Sequence, residues 1–148
     1  MKSVLISIQR PHTDNIKALI KKFEVRKNKP NQETPFPCFI YETKTKGGCG
    51  KVIGDFVCDK ITDISVVVRN CNEDYNHVYH NDECKGSCLT WKELQEYGKG
   101  KPLYGWHISD LKIYDKPKEL GNFFTPMGKR PSYMIERPPQ SYMYVEEL

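Results

Sequence analysis

No apolar run in the 148-residue sequence approaches the roughly 20 residues needed to cross a bilayer. The apolar VLISI that follows Ser3 is too short for the core of a signal peptide. Cytoplasmic residence without membrane association is therefore expected. There is no dinucleotide fingerprint, no nucleophile elbow and no zincin helix, which removes the commonest sequence-readable enzyme classes. Gly47–Lys51 (GGCGK) comes nearest to a phosphate loop. Thr45 stands where that loop needs its first glycine and Val52 where it needs a hydroxyl, so a tight hairpin turn is the reading. No internal repeat is visible.

The composition, 38% apolar and 28% charged, is that of an ordinary globular protein. The length suits one domain, residues 1–148, with a core that needs no staples. Six cysteines without a secretion signal read as free thiols or metal ligands rather than disulfides. The net charge of +4 is unevenly spread. Residues 1–30 carry eight Lys/Arg against Asp14 and Glu24, a local charge of +6. Residues 63–88 carry two cations against five carboxylates, a local charge of −3. A basic end favours an anionic partner. Taken by itself, however, it reads as lysines solvating a helix and a strand edge.

Val4, Ile6 and Ile8 share one face of a predicted first strand, Val4–Gln9. Pro11 suits the first turn of a helix, and Ile16, Leu19 and Ile20 recur at helical spacing behind it. In Lys21–Lys27 (KKFEVRK), Phe23 and Val25 alternate with Lys22, Glu24 and Arg26, the pattern of a half-buried strand. The proline-punctuated 28–37 is a loop, and Phe39–Tyr41 and Lys51–Lys60 form a hairpin across Gly47-Gly48. Ile64–Val68 is expected to continue or follow that strand. Residues 70–88 are polar and acidic, without apolar period, and read as a long loop or insertion. Thr90 and Glu93 form a capping box for a helix that stops near Gly98. Leu103–Tyr114 gives one long or two broken strands, with Trp106 in the core. Gly121–Arg137 is a loop and Tyr142–Val145 a closing strand. Five or six strands and two or three short helices make an α+β protein, and a small mixed β-barrel suits that inventory.

Lys21, followed three positions later by Glu24 and then by Arg26, resembles the signature strand of ASCH domains, small members of the PUA-like superfamily. Ser7–Pro11 (SIQRP), Gly105–Pro117 (GWHISDLKIYDKP) and Pro138–Val145 (PPQSYMYV) resemble ASCH proteins of bacterial and phage type. The likeness covers the chain except 28–36, 65–88 and 122–137. It departs from the pattern where a glycine usually precedes the signature lysine and Leu19 stands in that region.

The resemblance implies a PUA-like barrel whose signature strand lines a basic cleft binding RNA or a nucleotide-like ligand. On it, Lys21 and Arg26 would hold phosphate from exposed positions, with Lys22 and Lys27 nearby. Glu24 and Gln140 would read polar edges beside Ser141, and Tyr142 would stack on a base. Some ASCH proteins are amidohydrolases acting on N4-acetylated cytidine through a lysine and a threonine of this strand and a distant glutamate. Lys21 matches the lysine, but Glu24 occupies the threonine position; others are described as ribonucleases. The alternatives are therefore a small hydrolase with Lys21 and Glu24 as its catalytic pair, or a phage or host interaction module using the 70–88 loop as its contact surface. Cys71, His77, His80, Cys84 and Cys88 suffice in number for a zinc site, yet no Cys-x2-Cys knuckle is among them. A surface loop with free thiols, and no resident cofactor, is the preferred reading.

Overall fold

The computed structural model describes residues 2–65, 68, 86–128 and 131–147. Seven strands are named: β1 (Ser3–Ile8), β2 (Phe23–Arg26), β3 (Phe36–Glu42), β4 (Lys51–Asp63), β5 (Tyr104–Lys118), β6 (Phe123–Phe124) and β7 (Tyr142–Glu147). Two α-helices are named among the described residues, α1 (His12–Lys17) and α2 (Trp91–Gly98). None of the described helices is long and apolar enough to cross a membrane.

The strands form one mixed sheet in the order β2-β5-β4-β3-β1-β7-β6. Only β1 and β3 run parallel; every other pair is antiparallel. The expected barrel does not close. Both edges of β1 are already taken, by β3 and β7, so β2 finds no free ladder there and pairs with β5 alone. A side chain bridges the gap instead: Arg26 Nη2 on β2 donates to the Ser7 carbonyl on β1 at 2.5 Å. The space left between these two strands is the cleft described below.

The alternation read in β1 holds, and both its faces are buried. Val4, Ile6 and Ile8 pack with Phe36, Ile40, Phe56 and Trp106, while Leu5 joins a second cluster with Phe39, Phe123 and Val145 on the opposite face. Phe23 and Val25 of β2 face a third cluster, which Leu94 of α2 completes. The β4–β5 ladder shifts register three times, and Gly54 lies so close to β5 that a Cβ there would meet the Lys112 carbonyl at 2.3 Å. Such irregularities bend a strand pair and raise its twist. The capping box of α2 is formed as read: Glu93 N–H donates to Thr90 Oγ1 at 3.1 Å, and Thr90 N–H donates back to the Glu93 carboxylate.

Two local expectations fail. The helical stripe ends at Lys17, leaving Leu19 and Ile20 62% and 59% exposed rather than packed with Ile16. Leu19 sits at φ 60, in the left-handed region that favours glycine, so the missing glycine of the resemblance is a real conformational demand met by a leucine. Ile64–Val68 does not extend β4. Val68 N–H donates to the Ile64 carbonyl, an i→i−4 bond, and both side chains turn into the cluster under α2.

Candidate binding cleft

A cavity of about 700 Å³ opens between β1 and β2 and is walled by α2, the Thr43–Gly47 turn and the chain entering β7. That volume lies within the range of small-ligand sites. Its floor is the Lys21–Glu24–Arg26 face of the signature strand.

These three side chains are not presented to solvent, contrary to the sequence reading. The Lys21 side chain is 0% exposed, and those of Glu24 and Arg26 only 9% and 12%. The reason is tertiary: Glu24 and Arg26 lie on the face of β2 that looks across to β1, and Lys21, just ahead of the strand, is held under Ser87. Lys21 Nζ donates to the Ser87 carbonyl and stands 3.9 Å from Glu24 Oε2. Arg26 Nε stands 3.7 Å from Glu24 Oε1. Glu24 is thus a carboxylate held between two cations at ion-pair distance, too far for hydrogen bonds.

Three buried side-chain polar atoms have no hydrogen-bond partner among the described residues: His12 Nδ1, Glu24 Oε2 and Arg26 Nε. All three residues line this cleft. A buried group without a hydrogen-bond partner costs about 1–3 kcal/mol, so three of them around one cleft call for an explanation. Burial, and then the Lys21 charge, hold His12 below its ordinary 6.5 and keep its ring neutral. Tyr97 of α2 forms part of the wall, its hydroxyl shifted upward by burial, with Lys27 Nζ 4.7 Å above its ring.

Of the residues singled out from sequence, Lys21, Glu24, Arg26 and Gln140 come together in the cleft. Lys22 is exposed and outside the lining, and Lys27 reaches the cleft only by lying over Tyr97. Ser141 lies outside the lining: its hydroxyl donates to Asn28 Oδ1, and its carbonyl accepts from Ser7 N–H. Tyr142 is spent elsewhere too. Its ring packs edge-on against Trp106, which is 0% exposed as expected, and its hydroxyl donates to the Lys29 carbonyl. The aromatic ring available to a ligand is Tyr97, which sequence reasoning passed over together with His12, Thr43, Thr45, Glu93 and Glu96. Only Glu93 carried a signal, and it was a structural one, the capping box. The lining holds two cations, Lys21 and Arg26, against three carboxylates, Glu24, Glu93 and Glu96. The other cations of residues 1–30 stand outside it.

Cys71, His77, His80 and Cys84 fall outside the described residues, while Cys88 is partly buried with a left-handed backbone. Among the described residues no three His, Cys, Asp or Glu side chains are grouped to hold a metal. Cys38 and Cys58 are buried core thiols; burial pushes Cys58 up to about 12, and both stay protonated.

An open, mixed sheet with β2 along a cleft makes an α+β fold, and solved ASCH structures share it. The crystal structure of an ASCH protein from Zymomonas mobilis matches this chain with a TM-score of 0.68 at 17% identity, covering 98% of this chain and 88% of that one. Two single-residue variants of that protein, tyrosine to phenylalanine and serine to alanine, give the same TM-score and identity over 99% and 98% of this chain, and 91% and 89% of theirs. At this identity the likeness is one of fold. No protein-family model and no curated protein matches the sequence.

Proposed function

We propose that the cleft binds a nucleotide, free or within an RNA, with the base inserted against Glu24 and Arg26 and flanked by Tyr97. One observation carries this reading. The buried polar atoms left without hydrogen-bond partners are an acceptor, Glu24 Oε2, and a donor, Arg26 Nε–H, on one strand, with a third, Nδ1, on His12 in the lining of the same cavity. An exocyclic amine beside a ring nitrogen or carbonyl offers the complementary donor and acceptor. An aromatic wall suits a planar ring. Bases splayed out of a single strand present both features, as do free nucleotides.

Calorimetric titration with adenosine, cytidine and uridine tests the reading. Glu24→Gln is expected to weaken adenosine and cytidine about tenfold, one lost charge-assisted bond, and to leave uridine, which has no exocyclic amine, less affected. Wild-type protein that binds no nucleoside and no short RNA at low salt would remove the proposal.

A second reading has its own observation: the fully buried Lys21 ammonium faces Glu24 in a pocket that also holds a neutral imidazole. Such a group is placed to transfer protons, so turnover of a bound nucleotide at this cleft is the alternative. Acid–base turnover lost in Lys21→Ala, with ligand binding retained, would favour it.

A further inference from the structure

If the base occupies the cleft as proposed above, its phosphate finds no counter-ion inside. Lys21 and Arg26 are both directed to Glu24 and to backbone carbonyls, and Glu93 and Glu96 place like charge on the α2 wall. A phosphate is therefore repelled from the interior and from that side.

The opposite rim is different. Thr43 and Thr45 line it, with their hydroxyls 2.7 Å apart. Between Thr45 and Gly47, just outside the lining, stands Lys46, exposed and with no ion-pair partner among the described residues. Its charge is the last of several felt by the His12 ring in the cleft, behind burial, Lys21 and the opposing carboxylates of Glu24 and Glu93.

The turn that carries Lys46 is fixed on several sides. Buried Glu42 accepts from Thr13 Oγ1 at 2.5 Å and from Cys49 N–H at 2.9 Å. Thr43 N–H donates to the Ile8 carbonyl, and Arg10 Nη1 donates to the Gly47 carbonyl at 3.2 Å. Gly48 fits so closely that a Cβ would lie 1.7 Å from the Thr43 oxygen. A lysine on a fixed turn needs little reordering to meet an anion.

We infer that the Thr43–Gly47 turn holds the phosphate of the bound nucleotide, with Lys46 as counter-ion and the Thr43 and Thr45 hydroxyls as donors. The base then points inward to Glu24, and the chain of an RNA leaves the cleft on the turn side, away from Glu93 and Glu96. Both a terminal phosphate and a phosphodiester within a strand offer this chemistry.

The experiment compares wild type, Lys46→Gln, Thr45→Val and, as a control away from the turn, Lys22→Gln. Probes are adenosine, cytidine, their 5′- and 3′-monophosphates, and a labelled single-stranded RNA octamer at several salt concentrations. Lys46→Gln is expected to weaken phosphate-bearing probes about tenfold while nucleosides bind unchanged. Its salt slope on the octamer should be shallower by about 0.7, one phosphate on a single strand. Thr45→Val should weaken the same probes more modestly, and Lys22→Gln should match wild type. Urea midpoints confirm that each variant is folded. An effect on the monophosphates identifies a terminal phosphate, and an effect on the octamer alone identifies a phosphodiester; either supports the rim. Unchanged affinity and slope in Lys46→Gln, with nucleosides still bound, would overturn the rim and leave the base reading standing. Octamer binding that depends on Lys46 while no nucleoside binds would do the reverse. No binding of any probe to wild type would end both.

Discussion

Replacing Arg26 by alanine separates two accounts of the signature strand. If the side chain grips phosphate from an exposed position, its loss changes binding and leaves the fold untouched. In the structure it is almost wholly buried, donates to the Ser7 carbonyl across the β1–β2 gap and stands 3.7 Å from the Glu24 carboxylate. Removing one member of a buried charge pair costs about 3–5 kcal/mol when the other is left uncompensated. Lys21 still stands 3.9 Å from Glu24, so the lower end of that range, roughly 3 kcal/mol, is the expectation. With a urea dependence of about 1.5 kcal/mol per molar, the unfolding midpoint should fall by roughly 2 M. The double variant Arg26→Ala/Glu24→Gln should recover part of that loss, because the stranded carboxylate is gone. Urea unfolding followed by Trp fluorescence and circular dichroism reads both numbers. A loss below about 0.5 kcal/mol, the scale of an ordinary surface substitution, would mean that Arg26 is solvated and the cleft floor is wrongly assigned.

Leu19→Gly should raise stability by about 0.5–1 kcal/mol: it relieves left-handed strain of about 1–2 kcal/mol at an exposed site, against glycine's greater freedom in the unfolded chain. Thermal melts showing a lower midpoint would refute this. Stability should decline as the pH falls below 6.5. Burial holds both His12 and His107 below that value, so the unfolded chain binds protons that the folded one refuses until the folded values are passed. Urea midpoints between about pH 7.5 and about pH 5.5 should show the slope, and His12→Gln should flatten it; an unchanged slope would contradict the burial argument. Little or no deacetylation of N4-acetylcytidine is expected, because Glu24 stands where the ASCH amidohydrolases it resembles carry a threonine. Efficient turnover abolished in Lys21→Ala would show that Glu24 substitutes for it as proton carrier.

Period and punctuation settled the local elements. The alternation of Val4, Ile6 and Ile8 and the Thr90–Glu93 box each depend on neighbours within a few residues, and both appear in the structure as read, while the β3–β4 hairpin forms with a longer connection, residues 43–50, than the tight Gly47-Gly48 turn expected. Four short motifs in order pointed to the right fold. What the chain alone did not decide is where those faces point after folding. The polar face of β2 reads as a solvent face because its residues are charged, yet β1 has both edges occupied and β2 folds back across it, turning that face into a floor. For the same reason the sheet stays open rather than closing into a barrel. Packing against Trp106 removes Tyr142 from the cleft, and α2 carries Tyr97 into it. Which polar atoms are buried without hydrogen-bond partners is a property of separate segments, His12 at the start of α1 and Glu24 and Arg26 on β2, and it exists only once those segments are packed together.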